Sequence, residues 1–392
     1  MQDSAPFEVT QLESIKTNFD LDFLEREEHF RKKVEHSSIV ILGAAGSIGS
    51  SVVPLILKYS PRKLLLIDQD ENRLTTLLRY IRAKSLVNTA TEVQIMAADF
   101  ASNYTLNAIN EFAAQPTILN FAAAKHVRSE RDQFGILHLL TENFLKPWKL
   151  IERTKPEFYF AVSTDKAANP VNFMGASKAL HEQIITLQES ASTTRFANVA
   201  FSQGSLLESW SHRIRWREPL VVPSDIERYL ISHQDAAKLC AIAMTVDSEF
   251  KILVPSPNSV ESKYLKDIAV EYLHTLGIRP EFYADYLEAR SSLESNKIGT
   301  WPIVVTDSET HGEKKRETFI GELESSFKFT PNTEIVVPHV SSLEDLLNIQ
   351  EFVSSQTTSL SAGIEIELLH LIKRVIPNFN PLRGLGSLDT RP

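Results

Sequence analysis

The chain has 392 residues, of which 43% are hydrophobic and 23% are charged. This composition is typical of a folded globular protein and excludes wholesale disorder and fibrous classes. The 41 Lys and Arg against 50 Asp and Glu give a net charge of −9, so we expect no nucleic-acid partner. Cys240 is the single cysteine, which excludes an intrachain disulfide and a cysteine-based zinc site and favours a reducing, cytoplasmic location.

Residues 1–36 predict a helical N-terminal extension before the main domain. Thr10 to Val34 brings Phe19, Phe23 and Phe30 near one face of a helix, with charged residues elsewhere. These rings need cover from the main domain or from a second subunit, and a homodimer or larger homo-oligomer is expected; a solvated charged helix is the alternative. The segment lacks the apolar stretch of a secretory signal.

Residues 37–200 alternate short apolar strands with helical segments, and a stretch near 233–255 is expected to return to the same domain. This alternation predicts an α/β fold with a doubly wound parallel sheet of the Rossmann type, covered by helices on both faces. The predicted strands are Ile39–Leu42, Leu64–Asp68, Glu92–Ala97, Ile118–Asn120, Phe158–Val162 and Arg195–Val199.

The remaining segments are less regular. Between the fourth and fifth strands a single long helix is predicted to run through Ile151. Residues 201–330 contain scattered prolines and predict a smaller mixed region that binds substrate at the carboxyl edge of the sheet. Residues 331–392 predict a helical C-terminal segment, with helical pieces at Leu346–Val353 and Ile364–Val375.

The most apolar run, Ser38 to Leu57, is long enough to raise the question of a membrane span. Three glycines interrupt it in Gly43-Ala-Ala-Gly46-Ser-Ile-Gly49, which predicts a strand, a turn and a helix, so no integral membrane segment is expected. Glycines there permit a tight turn and close approach of a pyrophosphate to the helix N-terminus around Ser47 and Ile48. A turn that merely needs small residues is the alternative.

Two acidic residues follow the next two predicted strands. Asp68 ends the second strand, about 20 residues beyond Gly49. A carboxylate there accepts hydrogen bonds from the adenosine ribose and repels a 2′-phosphate, so the sequence favours NAD over NADP. Asp99, after the third strand, is placed to meet the adenine, and an exposed turn aspartate is the alternative.

A group of polar residues follows the fifth strand and opens the next helix. In the short-chain dehydrogenase pattern, Tyr and Lys lie at i and i+4 on that helix, and the lysine holds the nicotinamide ribose. Lys178 is present here, but Met174 stands at the tyrosine position. Because a thioether cannot transfer a proton, the candidates are Thr164, Asp165 and Lys166 at the carboxyl end of the strand.

Two blocks, Ser163-Thr-Asp-Lys-Ala-Ala-Asn-Pro170 and Asn172-Phe-Met-Gly-Ala-Ser-Lys178, resemble the UDP-N-acetylglucosamine 4,6-dehydratases of polysaccharide biosynthesis, within the extended short-chain dehydrogenase superfamily. The resemblance runs from about residue 38 to 319. Members that invert C5 have Tyr at the position of Met174 and members that retain it have Met, so the retaining group is implied. The supporting segments are Ala122–Val127, Arg195–Val199, Ser202–Ser205, Arg228–Tyr229 and Gly312–Lys314.

The sequence also departs from the family pattern. Thr310-His311 stands where Arg-Pro usually precedes the Gly-Glu-Lys motif, and Gln203 replaces a common Arg. These changes affect expected uridine or pyrophosphate contacts rather than the redox chemistry. Many retaining relatives carry membrane helices before the catalytic domain, and this chain resembles a shorter, soluble branch.

The resemblance implies an internal redox cycle on UDP-N-acetylglucosamine or a related UDP-sugar. NAD takes a hydride from C4, water is lost across C5–C6, and the hydride returns to C6. In this scheme Lys166 is the base at C5, Asp165 is the acid at C6, Thr164 receives the C4 hydroxyl proton, and Lys178 positions the ribose. Cofactor contacts are expected from Ala122, Ala123 and Val199, and substrate contacts from Lys125, Asn198, Ser205 and Arg228.

Asp165 and Lys166 must then work in protonation states opposite to their ordinary ones, which requires a closed site and mutual coupling. One alternative is 4-epimerisation or decarboxylation of another UDP-sugar, although an epimerase needs no acid at C6. Another is an inactive NAD-binding regulatory protein, suggested by the missing tyrosine at Met174. His126 has no paired ligand at metal spacing, so no metal is expected.

Overall fold

The computed structural model describes residues 12, 15, 17, 19–87, 91–125, 130, 132–247, 249–295, 299–307, 314–357 and 363–381. In chain order the strands are β1 (Ser38–Leu42), β2 (Lys63–Asp68), β3 (Glu92–Ala97), β4 (Thr117–Asn120), β5 (Phe158–Thr164), β6 (Ala191–Phe196), β7 (Asn198–Val199), β8 (Leu220–Pro223), β9 (Glu227–Ile231), β10 (Ile252–Pro255), β11 (Ser262–Tyr264), β12 (Arg279–Tyr283), β13 (Thr300–Thr306), β14 (Ser325–Thr330) and β15 (Thr333–Val337).

The α-helices separate these strands. They are α1 (Asp20–Val34), α2 (Ser47–Leu57), α3 (Glu71–Ala83), α4 (Asn103–Phe112), α5 (Gln133–Leu140), α6 (Lys146–Thr154), α7 (Phe173–Thr186), α8 (Leu206–Arg215), α9 (His233–Met244), α10 (Leu265–Thr275), α11 (Tyr286–Ser292), α12 (Leu343–Gln356) and α13 (Ile364–Val375).

Among the described residues, nine strands form one large sheet in the order β14-β15-β10-β6-β5-β4-β1-β2-β3. The pairs from β10 to β3 are parallel, whereas β15 and β14 are added antiparallel at one edge. This is the predicted doubly wound, Rossmann-type arrangement, and the fold prediction is confirmed. The strand order reverses between β1 and β4, so their adjacent carboxyl ends form the crevice where such sheets bind ligands.

Each face of the large sheet has its own apolar core. Helices α1, α2, α3 and α9 bury their apolar side chains against one face. The helices α4, α5, α6, α7, α12 and α13 cover the other face. Because the central strands are buried on both sides, β1 reads as a continuous apolar run rather than an alternating one.

The described part of the N-terminal extension packs on the main domain. Its helix begins at Asp20, later than predicted, and the predicted start at Thr10 lies outside the described residues. Phe23 and Phe30 contact each other edge to face, and both contact Tyr59 beyond α2. Phe19 is buried in the same core. These rings are covered by their own chain and therefore give no argument for a second subunit.

Three other predictions need correction. The predicted sixth strand divides at residue 197, because β7 leaves the large sheet and pairs with β9. The segment 331–392 begins with β15, which pairs with β14 and β10, before its helices start. The long helix predicted through Ile151 is interrupted by a π-helical turn at Thr141–Leu145.

Two smaller sheets complete the described structure, in the orders β11-β9-β7 and β12-β13-β8. They share a third apolar core with α8 and α10. The stretch near 233–255, expected to return to the first domain, contains α9 and β10, and β10 pairs with β6 in the large sheet. The first of these sheets is joined directly to the large sheet, because β7 follows β6 after a single residue.

Candidate active site

A cleft of about 500 Å³ opens at the carboxyl ends of the parallel strands. Residues at or just after the carboxyl ends of β1 to β6 line it, together with the first two turns of α7. This location matches the crevice expected at the reversal of strand order. The cleft therefore collects side chains from segments that are far apart in the chain.

The glycine loop between β1 and α2 packs tightly against the segment after β4. Gly43 has a φ of +68°, and a Cβ there would lie 2.6 Å from the backbone nitrogen of Ala122. A Cβ at Gly49 would overlap the carbonyl of Gly43. Gly46 precedes α2 and has no side chain to cap its first N–H groups. The loop thus fits a pyrophosphate, because only small residues leave backbone N–H groups accessible there.

Asp68 lies at the end of β2 and lines the cleft. Its two carboxylate oxygens accept hydrogen bonds from the backbone N–H groups of Ala45, at 2.9 Å, and Asp70, at 3.0 Å. The carboxylate is therefore fixed beside the glycine loop, where an adenosine ribose would lie in a dinucleotide bound across the crevice.

Asp99 does not line the cleft, so its predicted contact with the adenine gains no support from the geometry. Its carboxylate accepts hydrogen bonds from Lys146 at 2.6 Å and from the backbone N–H of Ala101 at 2.9 Å. Desolvation raises the pKa of Asp99, but the bonds from Lys146 and Ala101 outweigh it and hold that pKa below its usual value. Phe100, its neighbour, lines the cleft instead.

Thr164, Asp165 and Lys166 form a hydrogen-bonded turn at the end of β5. Thr164 Oγ1 donates to Asp165 Oδ1 at 2.8 Å, and Lys166 Nζ donates to the same oxygen at 3.1 Å. Thr164 and Lys166 line the cleft. The Asp165 side chain is only 1% exposed, and its Oδ2 has no hydrogen-bond partner among the described residues. Asp165 therefore lies behind the other two instead of facing the cleft directly.

Lys166 also faces a carboxylate that the sequence reading missed. Glu317 Oε1 lies 3.8 Å from Lys166 Nζ. Burial alone lowers the pKa of Lys166, but the carboxylates of Asp165 and Glu317 outweigh burial and the opposing charge of Arg228, so the net shift is upward. This corrects the expectation that coupling would make Lys166 neutral near neutral pH: the surroundings make it a stronger base.

Helix α7 lies directly on this turn. A Cβ at Gly175 would be 2.6 Å from the carbonyl oxygen of Lys166, so a larger residue would push α7 away. Met174 and Lys178 both line the cleft from this helix. Lys178 Nζ donates to the carbonyl of Val162 at 3.0 Å, and burial lowers the pKa of Lys178 to about 8, with Glu182 opposing the shift.

The four predicted substrate contacts divide into two pairs. Lys125 and Asn198 line the cleft. Lys125 Nζ donates to the backbone carbonyl of Gln203, and desolvation lowers the pKa of Lys125. By contrast, Ser205 caps α8, and its hydroxyl accepts from a backbone N–H of that helix. Arg228 is buried, and its Nη1 donates to backbone carbonyls of neighbouring segments.

Most predicted residues therefore meet in one cleft. The predicted residues that line it are Gly43, Gly46, Ser47, Ile48, Gly49, Asp68, Ala122, Ala123, Lys125, Thr164, Lys166, Met174, Lys178, Asn198 and Val199. Those that do not are Asp99, Asp165, Ser205 and Arg228. His126, Thr310, His311 and Gly312 lie outside the described residues.

The residues that the sequence did not indicate include three with ionisable side chains. His138 and Glu142 line the cleft and are spaced i, i+4, so the spacing could have indicated a shared helical face. Glu317 had no comparable signal, because only the fold brings it to Lys166.

The family described as a polysaccharide biosynthesis protein matches residues 39–336. The chain belongs to this family. It is 28% identical over 272 residues to the capsular polysaccharide biosynthesis protein CapD of Staphylococcus aureus, covering 64% of this chain and 44% of that one. It is 26% identical over 223 residues to an inverting UDP-N-acetylglucosamine 4,6-dehydratase of Campylobacter jejuni, covering 53% of this chain and 62% of the other. The chain thus spans less than two thirds of the length of both relatives.

The fold of this family member is also found in solved structures. A UDP-glucuronic acid 4-epimerase from Bacillus cereus, in complex with UDP-glucuronic acid and NAD, superposes with a TM-score of 0.52 at 16% identity, covering 85% of this chain and 98% of that one. None of the helices in the described part of the chain has the length and apolar character that a bilayer crossing requires.

Proposed function

We propose that the protein catalyses NAD-dependent dehydration of UDP-N-acetylglucosamine to its UDP-4-keto-6-deoxy product, with retention at C5, for surface polysaccharide or glycan synthesis in the cytoplasm. One observation carries this: Thr164, Lys166, Met174 and Lys178 line the same cleft as the glycine loop. Family membership and the Campylobacter jejuni relative support the substrate class.

The glycine loop and Asp68 are the residues that would hold NAD, with Lys178 toward the nicotinamide ribose. When bound there, NAD supplies the hydride acceptor and donor that the cycle needs. Asp68 favours NAD over NADP, because a 2′-phosphate would meet a carboxylate already fixed by two backbone N–H groups.

Thr164 is the first proton carrier in this proposal. Its Oγ1 accepts the proton of the C4 hydroxyl and passes its own to Asp165 Oδ1, 2.8 Å away. Asp165 is thereby protonated without touching the substrate, which suits a side chain only 1% exposed. Its proton returns through Thr164 to the C6 oxygen, which leaves as water. A thioether at Met174 takes no part in these transfers.

Lys166 carries the proton of C5. In its neutral form it removes that proton, which the neighbouring 4-ketone has made acidic, and the C5–C6 double bond forms as the C6 oxygen leaves. When the hydride arrives at C6, the ammonium returns its proton to C5 on the face from which it was taken. One residue acting on one face gives retention. All hydrogen atoms are accounted for, so no cofactor is consumed.

The test is incubation of purified protein with UDP-N-acetylglucosamine in D₂O, without added NAD, followed by NMR. We expect a 6-deoxy-4-keto sugar with deuterium at C5 and the gluco configuration. The same product with inverted C5 would overturn retention and the role of Met174. An unreacted sugar with NAD still bound would overturn this substrate, and a panel of UDP-sugars would then separate an inactive binding protein from another enzyme.

A 4-epimerase is the second candidate, favoured by the shared fold of the Bacillus cereus enzyme. An epimerase exchanges configuration at C4 and needs neither a base at C5 nor an acid at C6. The Asp165–Lys166 pair at the end of β5 favours dehydration for this reason. The same D₂O experiment separates the two, because epimerisation leaves C5 undeuterated and C6 hydroxylated.

A further inference from the structure

Glu317 is a buried carboxylate that the proposed reaction does not use. Its side chain is only 3% exposed, and it faces two ammonium groups. Lys166 Nζ lies 3.8 Å from one carboxylate oxygen, and Lys314 Nζ lies 3.3 Å from the other. Because a buried carboxylate is costly unless cations face it, this arrangement couples Glu317 to the cleft lysine.

The segment that carries Glu317 is held by residues at the start of β9. The backbone N–H of Glu227 donates to the carbonyl of Lys315 at 2.8 Å. Arg228 Nη1 donates to the carbonyl of Lys314 at 3.1 Å. Arg228, which the sequence reading assigned to substrate, thus holds the backbone next to Glu317.

The chain after Glu317 is anchored on the other side. The ring of Phe319 packs 5.0 Å from the ring of Tyr229, measured between centroids. Gly321 lies so close to the carbonyl of Ala168 that a Cβ would overlap it. Glu317 therefore sits between β9 and the turn after β5, with little freedom to move away from Lys166.

Burial lowers the pKa of Lys166, and three charged groups act on it in addition. Asp165 on its own turn and Glu317 raise the pKa of Lys166, whereas Arg228 on β9 lowers it. From α7, Lys178 directs its ammonium to a backbone carbonyl instead of this pair. Lys166 is thus bonded by a carboxylate from its own turn and faced by another from a distant segment.

We propose that Glu317 is a positioning residue for Lys166. It holds the Lys166 side chain at the cleft and makes neutral Lys166 a stronger base toward the C5 proton. The inference rests on the proposed function for its catalytic part. The proton moves from C5 to Lys166 Nζ, and Glu317 stabilises the ammonium so formed, while remaining unchanged itself. No other reactant is required.

The kinetic test is the pH dependence of kcat/KM for Glu317→Gln, which removes the charge and keeps the shape. Because neutral Lys166 is the active form, the rate rises with pH through the pKa of Lys166. Loss of a carboxylate within about 4 Å lowers that pKa. We therefore expect the acid limb, which is the rise of kcat/KM with pH, to shift to lower pH by about 1–3 units. The plateau rate also falls, because a weaker base removes the C5 proton more slowly.

Two further variants separate charge from packing. Glu317→Asp retains a carboxylate, and we expect the midpoint of its acid limb to lie close to that of the wild type. Glu322→Gln makes the same charge change at an exposed side chain nearby, and we expect its profile to match the wild type. A Glu317→Gln profile that only drops in height, without moving, would overturn the proposal, as would failure of Glu317→Asp to restore the limb.

A measurement without turnover keeps the two proposals distinguishable. Lysine labelled with ¹³C at Cε is titrated by NMR, with the Lys166 signal identified by its loss in Lys166→Arg. We expect Glu317→Gln to lower the midpoint of that signal in protein that is folded by circular dichroism. An unchanged midpoint overturns the coupling. A lowered midpoint in a protein that does not dehydrate the sugar sustains the coupling and overturns the proposed function alone.

Discussion

Two halves of the cleft are built in different ways. The cofactor half, so named because we propose that it holds NAD, is the glycine loop Gly43–Gly49 with Asp68, and it consists of backbone turns packed so closely that a Cβ would collide. The reaction half, so named because we propose that it carries the proton transfers, is Thr164–Lys166 with Lys178 and Glu317, and it consists of charged and polar groups from the end of β5, α7 and the segment before β14. The first half works by shape and the second by the balance of charges.

This difference makes the two halves separable by substitution. A change in the cofactor half should alter how tightly NAD is held and leave the pH dependence of proton transfer in place. A change in the reaction half should alter proton transfer and leave bound NAD in place. A substitution with the opposite pattern would show that the two halves are not independent.

The largest effect is expected at Lys166. We expect Lys166→Ala to lower turnover by roughly 10²–10⁴-fold, because the base at C5 is lost. Bound NAD, measured by absorbance after release from denatured protein, should match the wild type. Asp165→Ala should give a similar loss, since Asp165 and Lys166 share one hydrogen bond. Near-normal turnover in both variants would contradict the assignment.

The next largest effect is expected in the cofactor half. Gly43→Ala places a methyl group 2.6 Å from the nitrogen of Ala122 at a φ of +68°, so the loop must shift. We expect retained NAD to fall by about tenfold or more, since overpacking costs on the order of 1–3 kcal/mol. Gly277→Ala is the matched control, because its φ is +71° and nothing lies within 4 Å. Equal losses in both variants would attribute the effect to backbone strain alone.

The contrast between the halves also explains what could be predicted from the sequence. The glycine loop and Asp68 are recognisable because their function depends on neighbours in the chain and on a known spacing. The contact of Glu317 with Lys166 depends on the hydrogen bonds that Glu227 and Arg228 make to the carbonyls of residues 315 and 314, and no local pattern encodes it. The burial of Asp165 behind Thr164 likewise follows from how α7 packs, not from its position after a strand.

The same reasoning applies to the fold. The central strands β1 to β5 were predicted within a few residues, because strands buried on both faces are short apolar runs between helices. β14 and β15 were missed, because β14 is half exposed and both are ordered by antiparallel pairing at the sheet edge. β7 was merged with β6, because one residue between them is too short a signal for a change of sheet.

Lys178 is the most buried lysine of the reaction half, and its contribution to the free energy of unfolding should depend on pH. In the unfolded chain Lys178 stays protonated up to about pH 10.5, whereas burial in the folded chain lowers its pKa to about 8. Between these two pH values the unfolded state binds one more proton than the folded state, so the free energy of unfolding of the wild type rises with pH. We expect the rise to be about 3 kcal/mol and absent in Lys178→Met. Urea unfolding at several pH values measures it, with exposed Lys84→Met as control. A rise that persists in Lys178→Met would place its origin elsewhere.

The smallest effect is expected at Asp99, and it tests where the cofactor half ends. The carboxylate of Asp99 is held by Lys146 and does not line the cleft, so Asp99→Asn should change retained NAD by no more than about twofold. Its stability should fall by about 0.2–1 kcal/mol, as for other partly exposed ion pairs. Asp68→Asn is the matched substitution inside the cleft, and we expect it to weaken NAD and reduce discrimination against NADP. If both variants lost NAD equally, Asp99 would belong to the cofactor half, and that half would depend on charge as well as on shape.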